Sequence, residues 1–317
     1  MKKLFVFLIV LSIPVLACGL PVSPVKVVET ATHPEIRNEA VTSTPLASSM
    51  FSSSKPGTIE RDVTYCTMEG VELKMDIYYP KAVTGVRPAV MYVHGGGWTS
   101  GNKADGAGIQ DISALQQAGI LTVSVDYRLA PEYKFPAMIE DVKCAVRFLR
   151  AHAEELNIDP NRIGAYGGSA GGHLVNMLGV TDPSAGFDVD EYLEYSSRVQ
   201  AVVDMFGPAD LTVEFPGGYG RLGDTVFGGF DAALASPVTY VTSDDPPFLI
   251  LQGDQDTLVL PEQSQILYDR MVSANIPVTL GMVKNAGHGF VPTNGNIDPS
   301  RIQITQMIVD FFTKYLK

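Results

Sequence analysis

The sequence predicts an α/β fold: a mostly parallel central sheet with helices on both faces. Three observations carry this. Short apolar runs alternate with longer stretches whose apolar residues recur at helical spacing. Those runs are apolar throughout rather than at every second position, as strands buried on both faces are. Clusters of Gly, Ser, Asp and His follow directly after the runs, where ligands of such sheets bind.

Taken in order, the first eighteen residues read as an export signal. Lys2 and Lys3 precede the apolar run "LFVFLIVLSIPVL", followed by "AC", an order of charge, apolar core and small residues too short for a comfortable membrane span. "VLAC" (Val15 to Cys18) fits a bacterial lipoprotein box with Cys18 as the lipidation candidate. Leu16 is an unusual occupant of that box, and Val15 with Ala17 equally suits ordinary cleavage and secretion; an uncleaved anchor is the third option. Residues 19–58 are rich in Pro, Ser and Thr without apolar periodicity and read as a flexible tether, whose second half could alternatively pack on the domain. The folded domain is expected over 59–317.

Within that domain "VTYCTMEGVELKMDIYYP" alternates apolar and polar residues around Glu69-Gly70, as a hairpin does. "PAVMYVHGG", "ILTVSVDY", "RIGAYGGS", "VQAVVDMFG", "PFLILQGD" and "IPVTLGMV" read as buried strands. Helical stretches are expected at Gly106–Gln117, Ala137–Leu156, Ala170–Leu178, Pro261–Ala274 and Arg301–Tyr315. The segment Pro208–Val241, with Phe215, Tyr219, Phe227 and Phe230, reads either as a partial lid or as plain packing.

Bulk properties narrow the function. The chain has 317 residues and a net charge of −12, which argues against nucleic acid and anionic membrane surfaces as partners. Beyond Cys18 only Cys66 and Cys144 remain, one in an expected strand and the other in an expected helix. They read as two buried thiols, although an oxidising compartment would let them pair. No Cys/His cluster has metal-ligand spacing.

The chemistry sits in the loops after the strands. "GAYGGSAGGH" holds five glycines around Ser169; a strand enters and a helix leaves, so the glycines permit a tight elbow that exposes the hydroxyl. A serine needs a base. Of five histidines, His33 lies in the tether, His152 in a helical pattern at the surface, and His173 one helical turn past Ser169. His94 opens a glycine loop that it pins, which leaves His288, flanked by glycines after the last strand. The carboxylate that orients it is Asp256, with Asp254 the rival better suited to shaping the turn. The resulting chain order, Ser169, Asp256, His288, is that of the α/β-hydrolases. Backbone amides for an oxyanion come from Gly96 and Gly97 of "HGGG" and from Ala170.

"HGGGW", "DYRLAPE", "IGAYGGSAGGH", "GDQD" and "AGHGF" together resemble the hormone-sensitive-lipase-like branch of the α/β-hydrolases, especially its bacterial esterases, over about residues 60 to 317. The resemblance implies carboxylic-ester hydrolysis through an acyl-enzyme with no cofactor, and carries nucleophile, acid and base onto Ser169, Asp256 and His288. Two departures stand out. Gly168 occupies the position where many members have Asp ("GDSAGG"), a variant similar to exported acetyl- and feruloyl-esterase-like members acting on plant polysaccharide. The segment before His94 reads as strand where many members have cap helices, so a reduced cap and an open site are expected. In "DYRLAPE", Asp126 and Arg128 are expected to pair as scaffold. Two other classes share parts of the pattern: prolyl-oligopeptidase-type peptidases, whose large N-terminal propeller has no room here, and non-catalytic hydrolase homologues, which tend to lose the base.

Overall fold

A computed structural model describes residues 56–82 and 85–317. The export segment, Cys18 and the tether up to residue 55 lie outside the described residues. Eight strands form one sheet: β1 (Ile59–Met68), β2 (Val71–Tyr78), β3 (Arg87–Val93), β4 (Leu121–Val125), β5 (Ile158–Gly168), β6 (Ala201–Met205), β7 (Phe248–Gly253) and β8 (Val278–Val283). Their order is β1-β2-β4-β3-β5-β6-β7-β8, antiparallel at β1-β2 and β2-β4 and parallel from there on.

The hairpin turns at Glu69 and Gly70, both at positive φ (50° and 81°), as a two-residue turn matched to strand twist requires. Every residue of β3, β4, β6 and β7 is buried, because helices cover both faces. On one face lie α2 (Ala137–Ala151), α4 (Ala170–Val180) and α6 (Pro261–Ser273), with Ile139, Leu174 and Leu267 in the core. On the other lie α1 (Ile112–Gln117) and α7 (Arg301–Leu316), with Leu115, Ile308 and Phe312.

Two expectations are revised. Cys66 and Cys144 are joined in a disulfide rather than being separate thiols. Helix α2 packs on β1, which brings residues 78 apart in sequence to a Cα separation of 6.5 Å, within bridging range. The long helix expected over Ala137–Leu156 breaks at His152 (φ −104°, ψ 22°), leaving a separate turn α3 (Ala153–Leu156). His152 is accordingly half-buried, against Phe148 and Tyr192, rather than on the surface.

The connection from β6 to β7 is the long excursion. It holds a helical turn, α5 (Tyr219–Leu222), running into a π-helical turn at Gly223–Phe227, and a 3-10 turn at Pro237–Thr239. Phe215 and Phe227 are buried, and Phe227 and Phe230 pack on Phe135 at 5.6 and 4.9 Å between ring centroids. These aromatics anchor the segment; the residues facing the site are others, described below.

Candidate active site

Strand β5 ends in Gly168 and α4 begins at Ala170, so Ser169 forms the whole turn between them. Its φ of 59° and ψ of −123° lie where non-glycine residues are rarely found. The close approaches around it explain the glycines. A Cβ on Gly171 would stand 2.1 Å from the Val93 carbonyl oxygen, and one on Gly95 would stand 2.8 Å from that of Gly168. Backbone bonds hold the elbow on both sides: Ser169 N–H donates to Met205 O at 2.9 Å, and Ser169 O accepts from His173 N–H at 3.0 Å.

The sequence-predicted residues meet here. His288 Nε2 lies 2.9 Å from Ser169 Oγ, and His288 Nδ1 lies 2.8 Å from Asp256 Oδ2. Asp256 is buried, and its Oδ1 accepts from the amides of Leu258 (2.9 Å) and Val259 (3.0 Å). The rival Asp254 does not reach the imidazole; its amide bonds to Val283 O and continues the pairing of β7 with β8. The array supplies a nucleophile, a base within proton-transfer distance and a carboxylate that fixes the base's tautomer.

The glycine loop faces the same cleft. His94 Nδ1–H donates to Gly95 O at 2.6 Å, and its ring stacks on Tyr127 at 4.3 Å. Gly96 O accepts from Ser100 N–H (3.1 Å) and Ser100 Oγ–H (3.0 Å). In a trans peptide the N–H points opposite to the C=O. The bonds to Gly95 O and Gly96 O therefore turn the Gly96 and Gly97 amides the other way, and both residues line the cleft that Ser169 lines. The Ala170 amide is the first of α4 and has no partner within its helix.

Other expectations place differently. Asp126 and Arg128 do not pair. Arg128 is buried against Asp141 (2.8 Å), with Glu140 at 3.1 Å and Glu69 at 3.3 Å, whereas Asp126 bonds to Lys103 through both its amide (2.7 Å) and its Nζ (3.3 Å). Both residues lie beyond the end of β4 at Val125, where α2 offers the Arg128 guanidinium a buried carboxylate at Asp141. His173 is buried, donates from Nε2 to Ala235 O at 2.8 Å, and is pushed down to about 4 by burial, so it stays neutral and ties α4 to the β6–β7 excursion.

Sequence reasoning missed several residues that shape the site. Gln252, at the buried end of β7, donates to Gly253 O (3.2 Å) and Val259 O (3.1 Å) and accepts from Ser264 Oγ–H (2.9 Å), bracing the loop that carries Asp256. An amide at the end of an otherwise apolar strand is the signal that could have found it. Phe206, at φ 47°, lays its ring edgewise on His288 (4.9 Å) and on Phe290 (4.8 Å). The departure at Gly168 is its counterpart: a Cβ there would stand 2.9 Å from the Phe206 ring.

The cleft has two lobes sharing Gly97, Ser169 and Leu258. The larger, about 430 Å³, is lined by His288, Gly289, Phe206 and Asp105; the smaller, about 190 Å³, by Trp98, Pro208, Arg221 and Leu222. Among the described residues, the chain before His94 forms β1, β2 and β3.

Comparison with known proteins supports the same fold. Residues 75–271 match the BD-FAE family. "Probable carboxylic ester hydrolase LipM" of Mycobacterium tuberculosis is 33% identical over 228 residues, 66% of this chain and 50% of that protein. The chain spans about half the length of the curated relatives it matches. Among solved structures, a truncated carbohydrate esterase from gut microbiota superposes with a TM-score of 0.71 at 30% identity, covering 85% of this chain and 98% of that one. Apo Thermogutta terrifontis esterase 2 gives 0.71 at 28% identity, covering 83% and 97%. With its motifs in α/β-hydrolase order on an eight-stranded, mostly parallel sheet, the chain belongs to the BD-FAE family and to the hormone-sensitive-lipase-like esterase branch of that fold.

Proposed function

We propose that the protein is an exported serine hydrolase that cleaves carboxylic esters through an acyl-enzyme on Ser169, acting on acetyl or feruloyl groups carried by carbohydrate. The observation that carries this is the continuous hydrogen-bonded line from Ser169 Oγ through His288 to Asp256. His288 Nε2 takes the Oγ proton as Oγ bonds to the ester carbonyl carbon. The resulting oxyanion is met by the amides of Gly96, Gly97 and Ala170. As the carbon–alkoxide bond breaks, Nε2 passes the proton to the departing alcohol. Water then attacks the acyl carbon, giving its proton to Nε2; the Oγ–carbon bond breaks and Oγ regains a proton. Relatives and structural neighbours named as esterases, one a carbohydrate esterase, support the reaction and the substrate class.

The Cys66–Cys144 disulfide supports export, since such bonds persist in oxidising compartments. Lipidation at Cys18 would tether the domain to a membrane; loss of metabolically incorporated palmitate in Cys18→Ala tests that against plain secretion.

Ser169→Ala is expected to lower kcat for p-nitrophenyl acetate by about 10⁴-fold or more with an unchanged thermal unfolding curve. A fluorophosphonate probe should label wild type and not the variant. Retained turnover in Ser169→Ala would refute the assignment.

A further inference from the structure

The geometry points to a polarised cleft: the acyl group enters the smaller lobe, and the alcohol lies in the larger lobe and runs on into a groove fit for a second sugar ring. This rests on the esterase reading above and adds which part of the substrate each wall meets.

The alkoxide leaving the tetrahedral intermediate must come within hydrogen-bonding reach of His288 Nε2 to be protonated. His288 and Gly289 line the larger lobe, and neither lines the smaller. The alcohol therefore departs through the larger lobe. The oxyanion points at the glycine-loop amides and Oγ holds the carbon, so the acyl substituent takes the remaining direction. That direction is the smaller lobe, which shares Gly97, Ser169 and Leu258 with the first.

The walls suit these occupants. Trp98, Pro208, Leu222 and Val259 give the smaller lobe an apolar lining, and exposed Arg221 borders it. The larger lobe is walled mainly by glycines, which leaves width for a ring. Gly289 also borders a further hollow of about 430 Å³ lined by Gln110, Val291, Asn296 and Arg301. Val291 is 60% exposed, an apolar face beside the exposed amides of Gln110 and Asn296; the Arg301 guanidinium is held by Asp111 (2.6 Å) and Ala107 O (2.9 Å) and forms the floor. Hydrogen-bonding groups beside a small apolar face match a sugar's hydroxyl edge and its C–H face.

Two ester series separate the lobes: p-nitrophenyl esters of increasing acyl length, and acetates whose alcohol grows from methanol to acetylated xylo-oligosaccharides. Leu222→Trp, with Leu222→Phe as the milder variant should the first not fold, narrows the smaller lobe. Both are expected to cut kcat/KM for hexanoate relative to acetate by about tenfold or more, leaving the ranking of the alcohol series intact. Asn296→Ala is expected to lower the oligosaccharide-to-methyl ratio and leave the acyl ranking intact. If the Leu222 variants reorder the alcohol series, or depress both series equally, the polarity is overturned. If wild type turns over no ester in either series, the esterase reading itself falls, a result distinct from either.

Discussion

Gly168 and Phe206 show how one missing side chain makes room for the ring that bears on His288. The ring of Phe206 is 2% exposed and braced between His288 and Phe290, so it has nowhere to retreat. A Cβ at 168 would approach it to 2.9 Å, closer than real contacts allow. Gly168→Asp should therefore push the ring against His288 and lower kcat/KM for p-nitrophenyl acetate by about tenfold or more. Phe206→Ala in that background should restore part of the loss, which a double-mutant cycle would measure as a coupling energy of about 1 kcal/mol or more. Additive effects would show that the two positions act separately. In the sequence Gly168 stood out as a departure from a family pattern, but its partner was 38 positions downstream and carried no signal of its own.

At the level of elements, β1 and α2 are tied covalently. The hairpin sits at the antiparallel edge of the sheet, where among the described residues only β2 pairs with β1, and the Cys66–Cys144 bond fastens that edge to a central helix. Cys66→Ser with Cys144→Ser is expected to destabilise the domain by about 2–5 kcal/mol in urea unfolding. Reductant should bring wild type down to the variant's level and leave the variant unmoved; equal sensitivity of both would remove the disulfide from the account. The strands and helices themselves were legible because buried strands leave unbroken apolar runs and helices leave a 3.6-residue period. The break at His152 was not. The residues on either side are good helix formers, and the turn is set by packing against Phe148 and Tyr192.

The molecule as a whole carries several buried carboxyl groups, and they bear on its response to pH. Asp204 is fully buried, bonds to Asn176 Nδ2 (2.8 Å) and the Gly207 amide (2.9 Å), and is pushed up to about 7 by burial. Between the ordinary carboxylate value of about 4 and about 7 the folded protein holds a proton that the unfolded chain has lost. Asp204 thus withdraws stability as pH rises through that window, and its effect levels off above it. Asp204→Asn should accordingly gain in melting temperature relative to wild type from pH 4 to 7, the difference staying constant at higher pH. A difference that shrinks with rising pH would contradict the assignment.

The sequence by itself determined the alternation of strands and helices, the elbow at Ser169, and the identities of His288 and Asp256, which the structure brings together with it. These were readable because each is local: apolar runs, glycines around one hydroxyl, a histidine between glycines after the last strand. Only the tertiary structure decided that Cys66 meets Cys144, that Arg128 turns to Asp141 and not Asp126, and that Gly168 makes room for Phe206. It alone divided the cleft into a narrow and a wide side. Those facts are distances between residues far apart in the chain, and packing of sheet against helix sets such distances without leaving a local periodicity to read.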